Sequence, residues 1–194
     1  ACKTVGSLQL RNRATIGGNI VNAAPCADSM PPLIIYEAEV ELRSARGTRR
    51  MPVSEFVIGG YRTLLEPDEL VIRFILPAPT QQPLINRYLQ LGRRNALNIT
   101  RQSLTGQFMV DKGVVRLCRL VDGALLAKPQ RLLEVEQALI GRTLDAATID
   151  YAAGVLHAWV EKAIGGRWSA PYKVPVFIDM FRQMLQEVMT EQKK

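Results

Sequence analysis

A short stretch near the start of the chain, TIGGNIVNAAPCAD at residues 15–28, combines residue types that can bind a phosphate-bearing ligand. Gly17 and Gly18 have no side chain to block an approaching group, and adjacent glycines can adopt backbone conformations closed to other residues. Successive backbone N–H groups in such a turn can converge on an anion. Asn19 adds an amide, and Asp28 can accept hydrogen bonds from the hydroxyls of a ribose or a ribityl chain. The stretch therefore predicts a turn that binds an anion or a dinucleotide.

Two familiar phosphate-binding loops do not match this stretch. It lacks the GxGxxG pattern and the strand-then-long-helix context of a Rossmann fingerprint, and no Gly-Lys-Ser/Thr follows it as in a P-loop. A Gly-Gly pair is also common in turns that bind nothing. From the residues alone, a ligand-binding turn and an ordinary turn both stay open.

Side chains that catalyse reactions directly are scarce in this chain. His157 is the only histidine and lies in a segment with a helical apolar pattern, so neither a catalytic triad nor a zinc site is expected. The three cysteines, Cys2, Cys26 and Cys118, are too few for an iron–sulfur cluster and form no CxxC pair. Their odd number is typical of a reduced, cytoplasmic chain. If the chain belongs to an enzyme, a bound cofactor has to supply the chemistry.

The composition is that of an ordinary globular protein with a basic surface. The 194 residues are 47% hydrophobic and 22% charged, and the formal net charge is +7. No apolar run approaches the ~20 residues of a membrane-spanning helix, and the first residues do not form a secretory signal. The positive charge favours an anionic ligand or an acidic partner. Because the basic residues are scattered and not interleaved with aromatics, nucleic-acid binding ranks last among the possible functions.

The first 80 residues predict loops and short elements. Residues 1–28 are expected to be mostly loop, with the end of a helix at the start as an alternative, and residues 29–38 to open a short helix capped by Asp28 or Ser29. Residues 39–54 predict a hairpin that turns at Arg46-Gly47, because apolar and charged residues alternate on its first arm. The segment DELVIRFILPAP predicts a strand closed by prolines.

The remaining residues predict an antiparallel sheet covered by helices. Three alternating segments between residues 85 and 126 favour a meander, and three segments with helical periodicity follow after residue 131. Strands followed by helices indicate an α+β fold. The segment PAPTQQP suits neither a strand nor a helix, so we expect a boundary near residue 80 between a domain at 1–80 and a second domain at 81–194.

An ordered series of motifs resembles the FAD-binding medium subunits of molybdenum hydroxylases, the group of xanthine dehydrogenase and carbon monoxide dehydrogenase. The series begins with VGSLQLRNRATIGGNIVNAAPCADSMPPLI, continues through residues 38–77 and YLQLGRRNALNIT, and ends with residues 120–144 and WSAPYKVPVFIDMF. It covers essentially the whole chain. The resemblance implies the remainder of a FAD-binding subdomain followed by a C-terminal antiparallel sheet packed with helices.

The resemblance also implies a cofactor, a set of ligand contacts and partner subunits. FAD is held along its diphosphate and ribityl region by the TIGGN turn, and an acid further along contacts the ligand's hydroxyls. Two apolar positions lie near the bound FAD. Molybdenum cofactor and [2Fe-2S] clusters reside on a molybdopterin large subunit and an iron–sulfur small subunit, and electrons pass from the clusters through FAD to an acceptor such as NAD+, a quinone or oxygen. The corresponding positions here are Thr15, Ile16, Gly17, Gly18, Asn19, Asp28, Val71 and Val5.

Two departures from the family pattern affect the expected FAD site. The family commonly has a lysine before the GRR segment, where this chain has Leu89 and Gln90. The family's first Gly-Gly turn, on an N-terminal subdomain, has no counterpart here, so the chain is expected to be a fragment. The sequence leaves open whether the missing part is on another chain. The basic pair Arg93 and Arg94 matches the family but suits an interface as well as a flavin. These departures leave open an alternative, a non-catalytic scaffold of the same complex that does not retain FAD.

Overall fold

The fold is known from a computed structural model, which describes residues 1–78, 83–94 and 97–192. The helical elements are a 3-10 turn at Cys2–Thr4, α1 (Leu8–Arg13), α2 (Ile16–Asn22), α3 (Met30–Ile35), α4 (Val53–Phe56), α5 (Leu133–Leu139), α6 (Ala146–Ile164) and α7 (Ala170–Glu191). The strands are β1 (Glu39–Ser44), β2 (Gly47–Pro52), β3 (Val57–Gly59), β4 (Arg62–Thr63), β5 (Leu70–Ile75), β6 (Ile85–Gly92), β7 (Thr100–Asp111) and β8 (Val114–Gly123). The α+β prediction is confirmed, whereas residues 79–82 of the predicted boundary lie outside the described residues.

The first sheet is built around β1, which pairs antiparallel with β2 on one side and β5 on the other. Val40 and Leu42 of β1 are fully buried, as their alternation predicts. The hairpin prediction is confirmed, but its turn lies one residue earlier, at residues 45–46, and Gly47 opens β2 with φ 140°. The predicted strand in DELVIRFILPAP is β5.

Two helices occupy the region that was expected to be loop. Ser7 caps α1 by accepting a hydrogen bond from the Leu10 N–H at 3.2 Å, and α2 follows after two residues. The prediction of loop was therefore wrong for α2, whereas α1 lies near the start of the chain, where the end of a helix was one of the alternatives. The predicted helix α3 forms, but the Ser29 side chain makes no capping bond to it. Ile20 of α2 is fully buried in the first core, which fixes α2 against the sheet.

The second part is a three-stranded antiparallel meander, β6-β7-β8, as predicted. Helices α5 and α7 pack on one face of this sheet, and α6 packs against α5 and α7. The shared core contains Leu104 and Phe108 of the sheet together with Phe177 and Phe181 of α7. The apolar stripe of the last helix thus faces a core, as expected from its spacing.

The other face of the meander lies against the first part of the chain. Helix α3 contacts β7 and β8, and Val121 of β8 belongs to the core formed by α2, α3 and the first sheet. This packing brings polar side chains of β6 and β7 close to the loop between α2 and α3. Within the residues that the structure describes, no helix has the length and apolarity to cross a membrane.

Candidate functional site

The first turn of α2 presents free backbone N–H groups. Thr15 is the N-cap, with φ −117° and ψ 153°, and its Oγ1 accepts a hydrogen bond from the Gly18 N–H at 2.9 Å. The Asn19 N–H donates to the Thr15 carbonyl at 3.1 Å. The N–H groups of Ile16 and Gly17 meet no acceptor among the described residues. Two main-chain donors therefore face outward at the positive end of a short helix.

The two glycines of this turn do not have the conformation that the sequence suggested. Gly17 and Gly18 are helical and neither has a positive φ. The prediction that they adopt backbone conformations available only to glycine was therefore wrong. A Cβ placed on Gly17 would lie 3.7 Å from Val71 Cγ1, which is ordinary contact, and a Cβ placed on Gly18 would meet only Thr15 Oγ1, at 3.2 Å.

No contact with the described residues requires glycine at these positions, apart from a small adjustment of Thr15 Oγ1 beside Gly18. Glycine in a helix costs about 0.5–1 kcal/mol relative to alanine. The two glycines therefore lower the stability of the helix, although alanine would fit at these positions with little adjustment. A group that must approach the backbone from outside, such as a phosphate, explains the absence of side chains better than internal packing does.

Asn19 and Ile16 flank the bare turn. Asn19 Oδ1 accepts a hydrogen bond from Ser29 Oγ at 2.6 Å, which leaves the Asn19 side-chain N–H groups as donors. Ile16 is 49% exposed, although Ile20 one turn later is fully buried. The turn thus presents donors beside an exposed apolar side chain.

Asp28 follows α2 in the sequence, and side chains of the second sheet hydrogen-bond to its carboxylate. Its Oδ1 accepts from Tyr88 Oη at 2.8 Å and from Thr100 Oγ1 at 2.6 Å, and its Oδ2 accepts from Gln90 Nε2 at 3.0 Å. The residue is only 6% exposed. The next residue, Ser29, makes the bond to Asn19. Asp28 therefore connects β6 and β7 to the turn.

This buried carboxylate is stabilised by neutral donors. No ion pair with Asp28 occurs within the described parts of the chain. Burial, and secondarily the Asp28 charge, raises the pKa of Tyr88 well above its ordinary value, so Tyr88 keeps its proton and remains a donor.

A cleft of about 610 Å³ opens next to Gln90, between the N-terminal segment and the end of β6. Arg11 Nη1 shapes its rim by donating to the carbonyls of Val5, at 2.9 Å, and Gly6, at 3.2 Å. The described residues that line the cleft include three cations and no carboxylate, which suits an anionic or electron-rich ligand. The lining residues are Lys3, Thr4, Gly6, Ser7, Leu8, Arg11, Gln90, Leu91, Gly92, Arg94, Leu97 and Asn98.

The structure brings most of the predicted site residues together. Gly17 is on the same turn as Thr15, Ile16, Gly18 and Asn19. Val71 of β5 lies beside Gly17, and Asp28 is linked to the turn through Ser29. Val5 stands apart, between two residues that line the cleft.

The partners of Asp28 were missed as a set. In the sequence, Gln90 stood out only because a lysine is absent there, and neither Tyr88 nor Thr100 was predicted to be part of the site. The polar side chains of β6 and β7 on the face that meets α3 are the signal that could have indicated them, because a buried polar face needs polar partners.

Comparisons with known proteins place both parts of the chain. Residues 1–79 match the family "FAD binding domain in molybdopterin dehydrogenase", and residues 88–188 match the family "CO dehydrogenase flavoprotein C-terminal domain". Among curated relatives, the xanthine dehydrogenase FAD-binding subunit of Escherichia coli O157:H7 is 28% identical over 97% of this chain and 65% of its own length. The nicotinate dehydrogenase FAD-subunit of Eubacterium barkeri is 29% identical over 98% of this chain and 66% of its own length.

A solved structure shares the fold. A carbon monoxide dehydrogenase from Hydrogenophaga pseudoflava superposes with a TM-score of 0.83 at 28% identity, covering 93% of this chain and 62% of that chain. The chain thus spans slightly less than two thirds of the length of these relatives. It belongs to the CO dehydrogenase flavoprotein C-terminal domain family, preceded by a FAD binding domain of the molybdopterin dehydrogenase type, as in the FAD-binding subunits of xanthine and carbon monoxide dehydrogenases.

Proposed function

We propose that this chain is the FAD-binding part of a molybdenum hydroxylase and that the first turn of α2 holds the FAD diphosphate. The observation that carries the proposal is the pair of outward N–H groups on Ile16 and Gly17, next to two glycines that the fold does not need. The match of residues 1–79 to a FAD binding domain supports the identity of the ligand.

The residues of the turn suit a dinucleotide. The N–H groups of Ile16 and Gly17 donate to phosphate oxygens, and the missing Cβ atoms allow a close approach. The Asn19 amide adds a side-chain donor, and Thr15 keeps the turn in place through its bond to Gly18. We assign Val71 and Val5 to apolar contacts with the ligand, Val71 beside the turn and Val5 at the cleft.

The role of the chain in catalysis is to bind and orient the cofactor. FAD, when bound, supplies the redox chemistry by accepting electrons and passing them on. The chain itself contributes donors, a cationic cleft and apolar contacts, and we assign no side chain as a nucleophile or general base. The cations at the cleft, Lys3, Arg11 and Arg94, favour electron-rich groups on the ligand.

The proposed assembly follows the relatives. We propose that an iron–sulfur subunit delivers electrons that a molybdopterin subunit has taken from the substrate, and that an acceptor such as NAD+, a quinone or oxygen receives them. The division into domains at 1–80 and 81–194, expected from the sequence, is part of the proposal and is supported by the two family matches. A cytoplasmic location is also part of it, supported by the three free cysteines of the chain.

The test is the flavin content of the purified protein. We expect flavin absorption bands in the wild type and none in Gly18→Val, because the β-branched side chain would occupy the phosphate approach. Gly154→Val is the matched control: Gly154 lies in α6, and a Cβ there would meet nothing within 4 Å. Normal flavin content in Gly18→Val would refute the assignment of the turn. A wild type without flavin in its complete complex would favour the alternative, a non-catalytic scaffold.

A further inference from the structure

Three side chains of the second sheet converge on one carboxylate. Tyr88 and Gln90 extend from β6 and Thr100 from the start of β7, and all three donate to Asp28. Gln90 Nε2 and Thr100 Oγ1 also contact each other. The cluster joins residues that are 60, 62 and 72 positions apart in the sequence. It therefore forms only when the meander is packed against the first part of the chain.

The three donors leave part of the carboxylate unused. A carboxylate offers about four acceptor positions. Among the described residues, two donors reach Asp28 Oδ1 and one reaches Oδ2, which leaves one acceptor position on Oδ2. Because the donors are neutral, they do not cancel the charge of Asp28, and a hydroxyl that reaches Oδ2 would gain a charge-assisted hydrogen bond.

The cluster also acts on the turn of α2. Ser29 follows Asp28 directly and is itself only 6% exposed. Its Oγ donates to Asn19 Oδ1 at 2.6 Å and so turns the amide N–H groups of Asn19 away from Ser29. Asp28 is therefore connected to Asn19 through Ser29.

We infer that Tyr88, Gln90 and Thr100 are positioning residues for the dinucleotide: they fix Asp28 so that its free Oδ2 position accepts a ligand hydroxyl. The inference rests on the proposed function, since it names how FAD is recognised at the same site. The hydroxyl can belong to the ribityl chain or to the ribose, and both sources share the chemistry that Asp28 recognises.

The experiment compares ligands that carry different parts of FAD. Tyr88→Phe and Thr100→Val each remove one hydroxyl at nearly constant shape, and Tyr172→Phe, at a half-exposed tyrosine of α7, is the matched control. The four proteins, prepared as the full chain, are titrated with FAD, riboflavin, ADP and lumiflavin. Lumiflavin contains the ring without ribityl or ribose.

We expect both hydroxyl deletions to weaken FAD binding about tenfold, in line with a misplaced charge-assisted bond. The affinity for riboflavin decreases in parallel if a ribityl hydroxyl is the donor, and the affinity for ADP decreases in parallel if a ribose hydroxyl is the donor. Lumiflavin binding stays unchanged, as does every affinity of Tyr172→Phe.

Two results would overturn the inference. FAD affinities equal to the wild type in both Tyr88→Phe and Thr100→Val would exclude a role in positioning. An equal loss of all four ligands would indicate a general structural role for the cluster. A wild type that takes up no FAD would instead refute the proposed function on which the inference rests.

Discussion

Replacing Gly17 by alanine should strengthen the fold and weaken FAD binding. Gly17 is helical, so alanine adopts its backbone conformation without strain, and the added methyl would lie 3.7 Å from Val71 Cγ1 and 3.9 Å from Thr15 Oγ1. Neither contact requires a neighbour to move. The helix gains about 0.5–1 kcal/mol from the lower conformational entropy of the unfolded chain.

The expected gain in stability is measurable. For a chain of this size, about 1 kcal/mol corresponds to a shift of roughly 2–4 °C in melting temperature. The ligand-free Gly17→Ala protein should therefore melt about 1–4 °C higher than the wild type in scanning calorimetry.

The expected loss in affinity is larger than the gain in stability. The methyl group would lie between the turn and Val71. We expect it to hinder the approach of a phosphate to the N–H groups of Ile16 and Gly17, which have no other acceptor among the described residues. Losing two hydrogen bonds to a charged phosphate costs about 1.5–3 kcal/mol each. The dissociation constant for FAD, measured by flavin fluorescence, should rise about a hundredfold or more.

A second glycine separates the two effects. Gly154→Ala in α6 adds a methyl group in open space far along the chain, so it should raise the melting temperature similarly and leave FAD binding unchanged. The proposed role of Gly17 is refuted if the Gly17→Ala protein binds FAD as tightly as the wild type, or if the substitution lowers the melting temperature of the ligand-free chain. The second outcome would mean that the fold itself needs glycine at this position.

Three further predictions concern charged residues. Burial raises the pKa of Asp122 from 3.8 to about 7, so between these pH values the native state keeps a proton that the unfolded chain loses, and stability falls as pH rises through that range. The substitution Asp122→Asn should therefore raise the melting temperature more at pH 8 than at pH 5, and an equal rise at both pH values would contradict this. Glu136, which is 3% exposed, accepts two hydrogen bonds of 2.6 Å from Arg131. The substitution Glu136→Gln should lower the free energy of unfolding, measured with urea, by about 3 kcal/mol. A decrease below about 1 kcal/mol would show that the ion pair contributes little to stability. Arg94→Gln should weaken FAD binding more than its neighbour Arg93→Gln, because only Arg94 lines the cleft beside Gln90, and equal affinities would exclude the cleft from the site.

Much of the fold could be predicted from local patterns. The meander followed from alternation over long strands, and the last helices from apolar residues at helical spacing, because both patterns report directly which face is buried. Phe177 and Phe181, one turn apart, are fully buried. The hairpin turn was displaced by one residue, since glycine after the turn serves as well as glycine within it.

The region around the site was harder to predict. Thr15 and Ser7 are good helix caps, but the glycines and asparagines between residues 6 and 22 favour loops by propensity. Burial of Ile20 outweighs that preference and makes α2 a helix. The spacing of Ile16 and Ile20 behind a threonine was the available signal for this helix.

The cluster at Asp28 depends on tertiary packing. Its partners Tyr88, Gln90 and Thr100 lie on another sheet, and nothing in the local sequence pairs them with an acid 60 or more residues earlier. The resemblance to a family implied that Asp28 contacts the ligand, and this contact stays a prediction. Only the structure shows that three side chains already donate hydrogen bonds to its carboxylate.

The most direct test of the account is an NMR titration of the 15N-labelled full-length protein with FAD. We predict large changes in the amide signals of Ile16 and Gly17 on FAD addition, because their N–H groups, which have no acceptor among the described residues, become donors to phosphate. Smaller changes are expected for Gly18, whose N–H already bonds to Thr15. Saturating FAD that leaves the Ile16 and Gly17 signals in place, while signals elsewhere shift, would show that the dinucleotide binds without this turn.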